Sequence, residues 1–350
     1  MTIDHNLITP LLCLDDPLLS CDIVGSGNNY CFRVNQDTLV SSNTKEYILA
    51  YRRELFETRG ISVPSDTELS WRKDRAPLWS LDDLTNKSTN LMAWWKFDEL
   101  SLTLSDGDSI TTVSDSGPNG LTLTAVNTIA WDADGLNNKG TAVLTGADDH
   151  FTSPDVDAMD FDTNDISFYM VWKPALGTAS HTQFWFLYKK EDGANFPIWD
   201  WNRKHTSGRG GTTRKMLHTR RVGSANIVAQ GDDGTISDGT GYIHSVNGSL
   251  SDDTIDFYKN GADDGTPSST ALTGDVDNTG VLYVGNRPNA DRSMSGSLAE
   301  LIIVEHATGT VDERTKIEGY LAHKWGLTGS LPADHDYKTD PPRRSSVYTG

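Results

Sequence analysis

The chain has 350 residues, with 49 acidic against 30 basic side chains and a formal charge of −19. That excess argues against binding a phosphate backbone through a general positive footprint, and no apolar stretch is long enough to span a membrane. Of the acids, 39 are Asp and 10 are Glu. Asp suits turns, where its short side chain bonds nearby backbone, so the composition predicts a mainly β chain with many turns.

Residues 1–90 differ from the remainder. The only cysteines are Cys13, Cys21 and Cys31. An odd count argues against a complete disulfide framework and for assembly in a reducing compartment such as a bacterial cytoplasm. The start, M-T-I-D-H-N-L-I-T-P, lacks the basic and apolar pattern of a secretory signal. Ser41–Gly60 reads as a helix: Asn43 is placed as its cap with Glu46 three residues on, Ile48, Tyr51 and Leu55 make one face, and Gly60 ends it. Between Lys45 and Arg75 lie seven basic and six acidic residues. Trp71, Arg72, Arg75 and Trp79 fall in the piece W-R-K-D-R-A-P-L-W. Aromatic and Arg anchors of this kind suit docking on another protein, although a small α+β domain with a solvated face accounts for them too.

The polar run Asp82–Asn90 marks a boundary. Beyond it, short alternating stretches with Gly, Asn and Asp turns predict strands at 91–97, 121–126, 141–144, 166–172, 184–188, 226–230, 241–246, 254–259, 281–284 and 297–305. Strands so distributed pack as a two-sheet sandwich. One helix follows. Thr310 and Glu313 have capping-box spacing, Ile317, Tyr320, Leu321, Lys324 and Trp325 recur at helical spacing, and Gly326 is placed to end it.

Several of these segments, in order, resemble a known family. A-W-W-K-F-D-E-L resembles the opening strand of a concanavalin A-like, laminin-G-like jelly roll. V-S-D-S-G-P-N-G-L-T-L-T resembles the turn after it, with Asp115 and Ser116 bonding backbone and Gly117 and Gly120 supplying positive φ. D-I-S-F-Y-M-V-W-K-P, I-D-F-Y-K-N-G-A, L-Y-V-G-N-R and S-G-S-L-A-E-L-I-I-V resemble later strands. The closing Y-L-A-H-K-W-G-L and L-P-A-D-H-D-Y resemble versions found in marine bacteria and their viruses. The resemblance spans roughly 91–337. It implies a jelly-roll sandwich with one C-terminal helix over 91–340; residues 1–90, outside the resemblance, read as a small α+β region, and 341–350 as a tail.

Catalytic motifs are absent from the sequence. Relatives of the fold that cleave glucans carry E-x-D-x-x-E on one strand, which sets two carboxylates on one face. Here Glu300 and Glu305 are the nearest pair, at an odd spacing, and Glu300 reads as a structural residue before the last strand. There is no G-x-S-x-G elbow, no H-E-x-x-H and no zinc spacing. G-L-N-N-K-G-T lacks the Lys of a P-loop. Asp155–Asp165 lacks the central Gly and final Glu of an EF-hand loop. Asp115, Asp148 and Asp149 are candidate calcium ligands by the family's habit; otherwise no cofactor is expected. His323 is expected to pack or cap.

Asn195–Lys215 reads as an unusual loop. Trp199 and Trp201 alternate and so point the same way, where they suit stacking on sugar rings, with Asn202, Arg203 and His205 bonding hydroxyls or carboxylates. The bland alternative places both Trp in the core. Arg203, Lys204, Arg209, Arg214, Lys215, Arg220 and Arg221 form a basic patch suited to an acidic glycan or subunit.

These features and the resemblance give an expected function: a virion structural protein of a bacterial virus, oligomeric within the particle. Residues 1–90 dock on other virion proteins, and the jelly roll reaches a host-surface glycan. The alternatives are a decoration or tail protein binding only its neighbours, and a polysaccharide-degrading enzyme.

Overall fold

A computed structural model of the chain describes residues 78–344, except 160–164, 176–182, 191–196, 206–213, 223–224, 233–235, 250–253, 266–267, 270–278, 290–291 and 307–312. The helix expected over 41–60, the three cysteines, Trp71, Arg72 and Arg75 lie outside the described residues. The chain divides into two compact units, residues 80–342 and a second comprising 1–79 with 343–350. The jelly-roll unit thus opens at Ser80. Its first turns bury Leu81 and Leu84, and the N–H of Thr85 donates to Glu313 Oε1 at 2.9 Å.

Each of the ten expected strands is present. In chain order the strands are β1 (Leu91–Lys96), β2 (Ser109–Val113), β3 (Leu123–Leu136), β4 (Lys139–Thr145), β5 (His150–Ser153), β6 (Asp165–Pro174), β7 (Gln183–Lys190) and β8 (Pro197–His205). There follow β9 (Arg214–Val222), β10 (Ala225–Asp232), β11 (Tyr242–Ser249), β12 (Thr254–Lys259), β13 (Ala262–Asp263), β14 (Ser268–Ser269), β15 (Leu282–Val284) and β16 (Ser295–His306). The one long helix among the described residues is α1 (Arg314–Lys324). No described helix is long and apolar enough to cross a membrane.

All pairings are antiparallel, and they link one curled sheet in the order β10-β9-β8-β7-β15-β5-β3-β4-β16-β6-β11-β12-β13, with β1 beside β16. The long strand β3 passes from one layer to the other. Thr124–Val126 pair with β5 and Ala130–Leu136 with β4. Between them Asn127 adopts φ 64, a left-handed position that Asn tolerates better than most side chains. The curl brings aromatic rings of the two layers together: Phe97 on Phe151 at 5.5 Å, Phe168 on Trp199 at 5.2 Å and Trp172 on Phe186 at 5.0 Å. Alternation then decides what each outer face carries, because residues not directed to this core point away from it.

Turn chemistry follows the sequence closely at Asn260-Gly261, where φ is 52 and 78, the left-handed pair of a tight hairpin. Gly326 ends α1 at φ 65. Gly117 departs from expectation, for it has no positive φ; a Cβ there would meet Asp115 Oδ1 at 2.9 Å. The capping box is also replaced. Glu313 is itself the residue before α1 and makes no side-chain cap, its carboxylate being taken by Thr85; Thr310 lies outside the described residues.

Candidate functional site

The expected loop at 195–215 is instead the hairpin arms β8 and β9, paired from Trp199↔Arg220 to His205↔Arg214. The Lys/Arg content of the segment masked its strand character, since propensity yields to side-chain pairing in a sheet. Trp199 and Trp201 do share one face, but it is the inner one: they are 2% and 0% exposed and belong to the core. Trp201 packs on Phe186 at 5.1 Å and lies near Phe168 at 6.2 Å. The sugar-stacking role read from these two rings is therefore corrected, because neither ring presents a face to a ligand. Asn202 points the other way and donates to Asp200 Oδ1 at 2.6 Å, both being buried. Arg203 and His205 lie on β8, and their side chains are outside the described residues.

The outer face of this layer carries a different aromatic set. β7 has a register shift between Trp185 and Leu187. The extra residue directs both Phe186 and Leu187 into the core, and leaves Trp185 and Tyr188 on the face turned away from it. Tyr188 pairs with Tyr283 on β15, and His150 on β5 continues the line. The rings follow one another at centroid separations of 6.1 Å for Trp185–Tyr188, 6.2 Å for Tyr188–Tyr283 and 5.7 Å for Tyr283–His150. The first two contacts are edge-to-face, the favoured arrangement for aromatic pairs. Trp185, Tyr188 and His150 are buried, whereas Tyr283 is the partly exposed rung. Asp200 and Asn202 stand beside Tyr188 and Trp185 through the β7–β8 pairing. The Arg287 guanidinium lies over the Trp185 ring at 4.8 Å.

His150 Nδ1 lies 2.9 Å from the Asp148 carbonyl. Donation there assigns the proton to Nδ1 and leaves Nε2 as an acceptor in the neutral ring. Burial holds its pKa below the ordinary 6.5, against the raising influence of the Asp148 carbonyl and the Asp149 charge. A depressed folded pKa means stability that is present above the unfolded value and lost as pH falls. We expect an NMR titration of His150 to show a midpoint below 6.5, and the melting temperature to drop on acidification less steeply in His150→Gln than in the parent.

The opposite layer uses its outer face for structure. Glu300 on β16 is fully buried and accepts from Trp94 Nε1 at 2.6 Å, Trp325 Nε1 at 2.6 Å and Tyr320 Oη at 3.2 Å. Lys324 lies 2.9 Å from both Glu300 and Asp98, as ion pairs. Glu318 of α1, also fully buried, accepts from Ser245 Oγ at 2.8 Å and Arg314 at 2.7 Å. These two carboxylates fasten α1 to the sheet. His323 bonds the Tyr337 carbonyl at 2.9 Å, the packing role its position suggested.

The other expected site residues take up local work. Asp115 accepts from the N–H groups of Trp94 at 2.8 Å, Gly117 at 2.7 Å and Leu121 at 3.1 Å, tying the turn to β1. Asp149 accepts from Thr145 N at 2.6 Å and Oγ1 at 2.9 Å. Asp148 is exposed at φ 66. No three His, Cys, Asp or Glu side chains among the described residues gather closely enough to hold a metal ion. Trp79, expected as a docking anchor, is 5% exposed and so offers no free ring.

No protein-family profile matches the chain, and no curated protein does. Solved structures resemble it at low identity. Domain 4 of a GH43 extracellular arabinanase from Geobacillus stearothermophilus, in complex with arabinotriose, is 21% identical, with TM-score 0.42, over 62% of this chain and 93% of that one. The receptor-binding domain of botulinum neurotoxin mosaic serotype C/D is 9% identical, with TM-score 0.48, over 67% and 52%. The CBM40 of Ruminococcus gnavus IT-sialidase, bound to α2,3-sialyllactose, is 10% identical, with TM-score 0.33, over 43% and 80%.

Proposed function

We propose that this protein binds carbohydrate without cleaving it, and does so on the outer face of β7, β15 and β5. The observation that carries the reading is Tyr283, a partly exposed ring backed by the buried rings of Tyr188 and His150. The rings of Trp185, Tyr188, Tyr283 and His150 follow one another on the side of the sheet directed away from its core, and all but Tyr283 are buried. Sugar recognition places an apolar ring face against C–H groups, and on this face the partly exposed Tyr283 offers that ring while its buried neighbours hold it in line. The non-catalytic part rests on the carboxylates. Glycoside hydrolysis needs two in a cleft, whereas Glu300 and Glu318 are enclosed by the donors that hold α1.

The setting we propose is the surface of a bacterial virus particle, with residues 1–79 engaging other virion proteins. It rests on the resemblance of the Val284–Leu327 run to jelly rolls of marine bacteria and their viruses. Shallow contact at one partly exposed tyrosine suits display in many copies, where weak single sites sum to avidity.

Binding of the full chain to a panel of neutral and acidic bacterial surface oligosaccharides tests the site. Tyr283→Ala is expected to weaken retention about three- to tenfold with an unchanged melting temperature. Failure of the parent to bind any member, or equal binding by the variant, counts against the face as a sugar site. A protein that binds no glycan yet is buried between particle subunits would be a structural cement.

A further inference from the structure

The outer face continues past Tyr283 as a row of threonines. Tyr283 on β15 pairs directly with Thr152 on β5, Thr152 with Thr124 on β3, and Thr124 with Thr112 on β2. Direct partners in antiparallel strands share a face. Their sequence neighbours fix which face it is. Val113, Leu123, Phe151 and Val284, each next to one member of the row, are buried in the core. The row therefore points away from that core. Exposure rises along it. Tyr188, the partner of Tyr283 on the other side, is buried; Tyr283 and Thr152 are half-buried; Thr124 and Thr112 are exposed. Among the described strands β2 pairs with β3 alone, so the row runs out to a sheet edge. None of the three threonine hydroxyls has a hydrogen-bond partner among the described residues.

We infer that the ligand is an internal stretch of a linear, neutral polysaccharide lying across β15, β5, β3 and β2. One sugar ring stacks on Tyr283, and the rings after it bond Thr152, Thr124 and Thr112 through their hydroxyls. This inference rests on the carbohydrate reading of the same face. Neighbouring strands lie about 4.8 Å apart, so the row from Tyr283 to Thr112 spans about 14 Å. The strand repeat is close to the length of one pyranose unit in an extended β-1,4-linked chain. Successive units thus meet successive strands, whereas a single terminal sugar reaches only one rung. A threonine hydroxyl both donates and accepts, as a sugar hydroxyl does. The row carries no charged side chain, and the formal charge of −19 disfavours an anionic chain. Its open end at β2 lets the glycan run on past the protein. Threonine also suits a strand through its branched Cβ alone, so the hydroxyls need a test that keeps that shape.

The test is calorimetric titration of the full chain with cello-, xylo- and manno-oligosaccharides, from dimer to hexamer. In at least one series the affinity is expected to rise at least about tenfold from dimer to tetramer and then level off, since each added hydroxyl contact contributes about two- to tenfold. Thr124→Val and Thr112→Val keep the branched shape. Each should weaken tetramer binding about two- to tenfold, with dimer binding and melting temperature unchanged. Tyr283→Ala should weaken every length. Equal affinity for dimer and tetramer in every series that binds overturns the inference and leaves the carbohydrate reading standing. Tetramer binding untouched by the two valine changes together does the same, as does binding only to glycans outside these three series. Absence of binding to any glycan overturns both. The length series on the parent decides the matter even if a variant fails to fold.

Discussion

Glu300→Ala is expected to destabilise the jelly-roll unit by about 3–5 kcal/mol, the range for leaving one partner of a buried ion pair uncompensated. The carboxylate serves four donors at once: two indoles from opposite ends of the unit, a tyrosine and a lysine. Truncation orphans both indole N–H groups and leaves Lys324 with Asp98 alone. The lysine makes the effect separable. Burial pushes its pKa down, and Glu300 with Asp98 more than reverses this, so it stands above the ordinary 10.5. A raised lysine pKa contributes stability that is complete below 10.5 and lost as pH climbs through the folded value. Tyr320 works in the same direction, being raised by burial and then by Glu300, and burial lifts Tyr258 to about 12. Alkaline unfolding above pH 10 should accordingly be steep in the parent. Lys324→Met should flatten the lysine component, and combined with Glu300→Ala it should cost less than the sum of the single changes. Denaturant titrations of the four proteins form the cycle. Additive losses would show that Glu300 and Lys324 are not coupled.

The fold was largely legible because its signals are local. The strand expected at 254–259 has those bounds, and Asn260-Gly261 announces its own turn. The family resemblance also marked Glu300 as structural, although it lies within β16 rather than before it. Its partners were not legible, for Trp94 is 206 positions away and no local pattern records a contact of that range. The site was hidden by a single extra residue. Strict alternation in 184–188 would put Trp185 and Tyr188 on opposite faces, and only the bulge at Phe186 unites them. His150 belongs to a strand of four residues, too short to show a period. For Trp199 and Trp201 the alternation was visible, but period two states only that they share a face. Which face is inward depends on the opposing layer, here Phe168 of β6, and that is a tertiary fact.

Trp201→Ala consequently tests the division of labour between the two faces. The ring is fully buried between Phe168 and Phe186, so its loss removes apolar contact and opens a cavity between the layers. The expected cost is about 3–5 kcal/mol, visible as a large fall in the denaturation midpoint. Trp201→Phe should cost markedly less. It keeps most of the volume, and the deleted Nε1–H has no acceptor among the described residues, so no hydrogen bond is lost with it. Tyr283→Ala should behave in the opposite sense, with stability retained and ligand affinity reduced. A protein in which Trp201→Ala stays fully stable but ceases to bind sugar would return the stacking role to β8. If the two variants instead separate as expected, binding belongs to the outer rung at 283, and the β8 tryptophans belong to the packing that holds that face in line.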